Sequence, residues 1–271
     1  QIEKELGKGA MGVVYQGKDP KIGRVVAIKT MALSQEFEGD ELQDVMERFF
    51  REAETAGRLN HPNIVSIYDA GEEHDLAFIA MEFLKGKDLM PYTKAGNLLP
   101  LTKVMSIVAR VADALDYAHK QHVVHRDIKP ANILVRDRDR AVKIADFGVA
   151  RLATSELTGD GDVFGSPAYM SPEQFRGGAV DARSDLFSLA TILYQCLCGV
   201  RPFPGEDLSS LAYSIVHTTP PPVSGVIQGL PAQLDRFFIR AFAKDPIARF
   251  PDGAAFKRTL SEVRQTWGSP R

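Results

Sequence analysis

Hydrophobic positions recur with two periods, and the shorter one dominates the first third of the chain. "GVVYQGKD" and "RVVAIKTMA" are short, rich in β-branched residues and separated by turn residues at Pro20–Gly23, which predicts paired strands. "DELQDVMERFFREAETAGRL" follows with apolar residues at 42, 45, 46, 49, 53, 56 and 59, the spacing of a helix, with Asp40 placed to cap it. "NIVSIYDAGEEHDLAFIAMEFL" returns to strand character, with a hairpin turn near Glu72–Asp75. Beyond "LKGKDL" the longer period takes over. A helix with apolar positions 104, 107, 108, 111, 115 and 118 is expected first, then short strands around Ile133–Val135 and Val142–Ile144. "ATSELTGDGDVFGSP" reads as a loop, and "DARSDLFSLATILYQCLCG", "LSSLAYSIVH", "AQLDRFFIRAFA" and "DGAAFKRTLSEVRQTW" as helices. The pattern predicts an α+β, bilobal protein. A β-rich lobe with one helix spans residues 1–84, and an α-helical lobe spans 85–271, with a hinge near Glu82–Lys87.

Composition narrows the classes. The 271 residues are 44% hydrophobic and 25% charged, enough for one large core or two smaller ones, and the net charge of −2 favours neither nucleic acid nor a membrane surface as partner. No apolar run reaches the roughly 18 residues of a membrane span, and "QIEKELGKGA" has no signal-peptide core. The chain opens directly on a motif without an initiator Met, as an excised domain would. Cys196 and Cys198 lie two apart in an apolar helix, point to different sides, and are expected to be core thiols in a reducing, cytoplasmic setting.

"GKGAMG" places glycines at Gly7, Gly9 and Gly12. A dinucleotide-binding turn needs a helix after the third glycine, and here a strand follows; a Walker loop needs Gly-Lys-Ser/Thr, which is absent. A glycine hairpin folding over phosphates is left, beside the plain hairpin turn. "VAIK" changes the balance, because Lys29 ends an apolar strand beneath that hairpin and a buried lysine needs a partner. Glu52 lies on the apolar side of the first helix, and a Lys29–Glu52 ion pair is expected to aim the ammonium at phosphates.

"HRDIKPANILV", His125–Val135, packs His, Arg, Asp, Lys and Asn into eight positions and then turns apolar, the pattern of a polar catalytic loop at the mouth of a β-hairpin. His119, His122 and His125 form a spaced triplet, but their Lys and Asp neighbours and the lack of a fourth ligand argue against a metal site. With "DFG" at 146–148, then "SPE", "DARSDLFSLA" and "KDPIARF" in order, the chain resembles the catalytic domain of eukaryotic-like Ser/Thr protein kinases, bacterial members above all.

The resemblance implies ATP and Mg²⁺ (with Mn²⁺ able to substitute) and assigns roles. Asp127 would accept or orient the substrate hydroxyl proton, and Lys129 would neutralise charge on the transferred group. Asn132 and Asp146 would hold the metal, and Lys29 and Glu52 would form the phosphate-facing pair. Leu6, Val14, Ala27, Met81 and Leu134 would line an adenine slot, with the backbone of Glu82 and Leu84 reading the purine edge. His125 would pack beneath Phe147, Glu173 would pair with Arg249, and Asp185 would receive backbone N–H groups of the catalytic loop.

Lys129 and "GSPAYMSPE" imply a non-specific serine/threonine protein kinase acting on protein Ser/Thr hydroxyls, with Ser166 where the family usually has Thr. Arg126 and Arg151 would form a basic pocket for a loop phosphate, with autophosphorylation favoured at Thr158, then Thr154 and Ser155. No nucleic-acid or membrane contact is expected of the domain itself, although flanking segments could tether it, and similar bacterial kinases suggest a homodimer through the small lobe. Two rival readings are a catalytically impaired pseudokinase acting as a nucleotide-binding scaffold and a small-molecule kinase of the antibiotic or choline type. The presence of Lys29, Glu52, Asp127, Asn132 and Asp146 opposes the first, and the "GSPAYMSPE" segment opposes the second.

Overall fold

The computed structural model describes residues 1–9, 12–35, 37–73, 76–136, 138, 141–147 and 167–268. Five strands build the first lobe: β1 (Ile2–Gly9), β2 (Gly12–Lys18), β3 (Val25–Met31), β4 (Ile67–Glu73) and β5 (Leu76–Glu82). They form one antiparallel sheet in the order β1-β2-β3-β5-β4. Strand period puts Ala27, Lys29 and Met31 on one face of β3, and Ala77, Ile79 and Met81 on the matching face of β5. Helix α1 (Gly39–Gly57) lays Val45, Phe49 and Ala53 against that face, while Ala56, next on the same stripe, joins the larger core. Lys29 is thereby carried into an apolar layer, as its strand position requires. The helix starts one residue before the expected cap: Glu38 occupies the cap position without a side-chain bond, and Asp40 falls in the first turn, where its charge favours the helix N-terminus.

The second lobe is helical. Helix α2 (Leu101–Lys120) precedes the polar loop and a small sheet of β6 (Lys87–Asp88), β7 (Ile133–Arg136) and β8 (Ala141–Ile144). Then come α3 (Pro172–Phe175), α4 (Ala182–Cys198), α5 (Leu208–His217), α6 (Val223–Val226), α7 (Ala232–Ala241) and α8 (Gly253–Gly268). Every residue of α4 from Ser184 to Cys198 is buried, so this helix is the axle on which the others pack. Asp181 caps its start by accepting from Arg183 N–H, and Gly199, at φ 71°, ends it in the left-handed conformation glycine adopts without strain. Helix α8 meets α2 at Gly253, where a Cβ would stand 2.3 Å from the Ala112 carbonyl oxygen. Cys196 and Cys198 are buried and free, and burial pushes their thiols up to about 12 and about 11. Among the described residues no helix is long and apolar enough to cross a membrane.

The lobes are tied by the segment after α1. Val65 N–H donates to the Ile144 carbonyl, Ile144 N–H to the Asn63 carbonyl (2.9 Å each), and Asn63 Nδ2 to the Val142 carbonyl at 2.7 Å. Strand β8, which delivers Asp146, is therefore docked on both lobes.

Candidate active site

The polar loop is held from below by Asp185, which α4 presents with only 1% of its surface exposed. Its carboxylate accepts from His125 N–H, Arg126 N–H and His119 Nε2, each at 2.8 Å. Two of these donors are the backbone groups expected. The third, His119, was not anticipated: its position on α2 carries no local signal that it faces α4. His125 is buried, its Nε2 lies 2.9 Å from the Ala145 carbonyl, and its ring meets Phe147 edge-on at 4.6 Å. The Asp127 N–H donates to His125 Nδ1 at 3.2 Å, so the proton sits on Nε2. Two histidines of the spaced triplet thus serve the scaffold. Among the described residues no cluster of three or more His, Cys, Asp or Glu side chains could hold a metal.

Three predicted residues converge within this loop. Asp127 Oδ2 pairs with Lys129 Nζ at 2.7 Å. Asn132 Nδ2 donates to the Asp127 carbonyl at 2.8 Å and to Oδ2 at 3.2 Å. The Ala145 N–H donates to the Asn132 carbonyl at 2.9 Å, which sets Asp146 beside the loop. Asn132 and Asp146 are hard oxygen donors of the type that small divalent cations favour, so the pair fits such a metal.

Lys29, 8% exposed, places Nζ 3.0 Å from Asp146 Oδ2. The expected Lys29–Glu52 ion pair is not formed. Both Glu52 carboxylate oxygens are buried, yet the ammonium has turned to the aspartate at the end of β8. Sequence spacing gives the faces of α1 and β3 but not how closely they approach.

Of the adenine-slot residues, Ala27 and Met81 are buried neighbours across the β3–β5 register, and Val14 and Leu134 pack against the same cluster. Leu6 lies on β1 and is 42% exposed. The three glycines differ. Gly12, at φ 128°, would drive a Cβ to 1.8 Å from the Thr30 carbonyl oxygen, whereas a Cβ on Gly7 meets nothing within 4 Å. Gly9 pairs with Gly12 at the hairpin end. Packing therefore demands glycine at position 12, while position 7 leaves open space above the sheet. Behind Met81 a narrow pocket, with a volume of about 10 Å³, runs between α1 and β8, lined by Ala56, Val65, Ile79, Ile144 and Phe147, with Lys29 and Asp146 as its polar groups.

Leu84 is buried in the connecting segment, and its carbonyl accepts from Gly86 N–H at 2.8 Å. Glu82 N–H donates to the Ser66 carbonyl at 2.8 Å, and its carboxylate pairs with Lys143 Nζ at 2.9 Å, which also reaches the Ile64 carbonyl at 3.1 Å. Lys143 is a second residue missed in sequence: it alternates with Val142 and Ile144 as any outward strand residue would.

Glu173 and Arg249 pair bidentately at 2.7 and 2.8 Å, as expected, with Ser184 Oγ donating to the carboxylate at 2.6 Å. Burial alone would push the Glu173 carboxyl up, but the guanidinium and the hydroxyl outweigh it and hold the group below the ordinary carboxylate range. The buried Nε of Arg126 has no hydrogen-bond partner among the described residues. Gly148, Arg151, Thr154, Ser155, Thr158 and Ser166 lie outside the described residues.

A glycine hairpin above a lysine-bearing sheet, facing a braced polar loop across a cleft, is the layout of a phosphoryl-transfer enzyme. The protein kinase domain profile matches residues 1–250. The probable serine/threonine-protein kinase PknB of Bifidobacterium longum is 37% identical over 272 residues, covering 96% of this chain and 39% of its own length. Bacillus subtilis serine/threonine-protein kinase PrkC is 38% identical, covering 92% of this chain and 38% of its own. The chain thus spans about two fifths of the length of these relatives. The crystal structure of the Mycobacterium tuberculosis PknI kinase domain superposes with a TM-score of 0.77 at 31% identity, covering 97% of this chain and 95% of that one. The chain belongs to the protein kinase family, as a bacterial-type, eukaryotic-like serine/threonine kinase domain. Membership implies use of ATP and a divalent metal.

Proposed function

We propose that this domain transfers the γ-phosphate of ATP to Ser or Thr hydroxyls of proteins, with Asp127 orienting the hydroxyl and accepting its proton as oxygen attacks phosphorus. The reading rests chiefly on one observation: Asp127, Lys129 and Asn132 are bonded to one another, and Asn132 is bonded to the strand end that carries Asp146 and, through it, Lys29. The Lys129 ammonium stands beside the Asp127 carboxylate, where it offsets charge on the group in transfer. Lys29, released from Asp146, holds phosphate oxygens from the sheet side, with Glu52 on α1 as its partner in the working form. Asn132 and Asp146 hold Mg²⁺, with Mn²⁺ able to replace it, and the bound metal supplies neutralisation of phosphate charge. The open space over Gly7 lets backbone N–H groups of the hairpin approach the phosphates, together with Gly9 and Gly12. Leu6, Val14, Ala27, Met81 and Leu134 cover the base, and Glu82 and Leu84 present backbone to its edge. The lobes divide at residues 84 and 85.

The Arg126 Nε, without a hydrogen-bond partner among the described residues, supports a regulatory phosphate on the segment outside them, with Thr158 favoured, then Thr154 and Ser155. In this reading the domain works in the cytoplasm, pairs through its small lobe, and owes any membrane tether to other segments. Transfer of radiolabel from ATP to a generic basic protein tests the assignment. Asp127→Asn is expected to lower the rate by about 10²–10⁴-fold, and transfer within about tenfold of the parent rate would overturn it.

A further inference from the structure

The peptide group joining Arg126 to Asp127 is gripped at both ends. Its N–H donates to His125 Nδ1 at 3.2 Å, and its carbonyl accepts from Gln174 Nε2 at 2.9 Å. Arg126 itself holds φ at 68°, a left-handed conformation that a non-glycine residue keeps only when its surroundings impose it. Its own N–H is bound by Asp185. Two of the three restraints come from the loop and the helical core beneath it. The third comes from α3, on the far side of the "GSPAYMSPE" segment and 48 residues along the chain.

Both ends of the Gln174 amide are committed. Its Oε1 accepts from Ser171 N–H at 3.0 Å and from Ser171 Oγ at 3.1 Å, closing the capping box of α3. Oxygen must face those two donors, so the amide NH₂ faces the Arg126 carbonyl. Helix α3 does not drift, because its own Glu173 is locked to Arg249 and Ser184. The amide supplies an acceptor for the cap and a donor for the loop from one side chain.

We propose that Gln174 is a positioning residue for phosphoryl transfer. Through the Arg126 carbonyl it fixes the peptide plane that aims Asp127, so helix α3 and the catalytic aspartate are held as one unit. The inference rests on the role given to Asp127 above.

Two substitutions in the full 271-residue chain separate this role from capping. Gln174→Glu keeps the acceptor for Ser171 and loses the donor to Arg126; Gln174→Met removes both without setting a carboxylate against the carbonyl. Both are expected to lower kcat by about tenfold, with KM for ATP changed less than about twofold. Ser171→Ala, which damages only the cap, is expected to keep kcat. In an Asp127→Asn background, Gln174→Met is expected to add no further loss to the residual rate, since groups acting as a unit are not additive.

Wild-type kcat in both Gln174 variants overturns the inference. So does a loss that Ser171→Ala reproduces with the same fall in melting temperature, and so does a full additional loss in the Asp127→Asn background. An inactive Asp127→Asn beside fully active Gln174 variants removes this inference alone. Near-parent activity in Asp127→Asn removes the underlying assignment.

Discussion

Arg249 is the largest of the fully buried side chains, at 2% exposure, and Arg249→Met asks what its charge does there. The guanidinium donates twice to Glu173, once from Nε to the Ala243 carbonyl at 2.7 Å, and more distantly to the Arg183 and Lys244 carbonyls at 3.3 Å, while its plane lies 4.9 Å from the Phe187 ring centroid. Methionine fills much of the volume and leaves the Glu173 carboxylate buried with the Ser184 hydroxyl. Removing one partner of a buried pair costs about 3–5 kcal/mol. At about 2–4 °C per kcal/mol for a chain of this size, the melting temperature should fall by roughly 6–20 °C.

The loss depends on pH. In the intact protein the Glu173 carboxyl is depressed, so its contribution is complete above the unfolded value of 4.5 and disappears as pH falls through the folded value. In Arg249→Met burial dominates and raises the carboxyl above its unfolded value. The variant then loses stability as pH rises through the ordinary carboxylate range. The gap between the two proteins should therefore widen from about pH 4.5 to neutrality and narrow on acidification. Urea melts followed by circular dichroism across that range read it directly. Glu173→Leu combined with Arg249→Met should cost less than the sum of the single substitutions. A gap that is flat with pH, or a loss below about 1 kcal/mol, the size of an exposed pair, would refute the reasoning.

Gly12→Ala should lower stability by more than about 1 kcal/mol, because its Cβ would strike the Thr30 carbonyl, whereas Gly7→Ala should melt like the parent and bind ATP more weakly, on the order of tenfold; thermal melts and calorimetry distinguish the two. Lys244 donates to the Ile215 carbonyl at 2.6 Å and lies 4.3 Å from the Phe203 ring centroid; burial, aided by the charges of Arg249 and Arg176, pushes its ammonium down to about 8. Trace acetylation across a pH series should give a midpoint near 8, and stability linked to this group should rise between about 8 and 10.5 as the unfolded chain holds the extra proton. A midpoint above about 10 would contradict the burial seen here.

What could be read in the sequence was what local periodicity controls. The stripe 45, 49, 53, 56 of α1 and the alternation of β3 and β5 follow from spacing alone, and so does the apolar run that became α4. The polar loop, the Asp185 anchor and the Glu173–Arg249 pair were legible because their motifs lie in the family's order. The two-residue β6 and the four-residue α3 were not, since neither is long enough to show a period. Partner choice was the other blind spot. Spacing offered Glu52 to Lys29, and the relative placement of α1, β3 and β8 brings the ammonium to Asp146 instead. Lys143, His119 and Gln174 each bond across elements remote in sequence, where no window of residues records the meeting.

Arg126 and Asp146 both keep positive φ, 68° and 60°, although neither is glycine. Each such residue costs about 1–2 kcal/mol, which glycine would recover at once. At position 146 that gain is outweighed by the loss of the carboxylate that partners the buried Lys29, so a library sorted for heat resistance will enrich glycine at position 126 and leave 146 alone. Selection for robustness and selection for turnover should diverge at 126 first, and that position can serve as a marker of which pressure a variant has experienced.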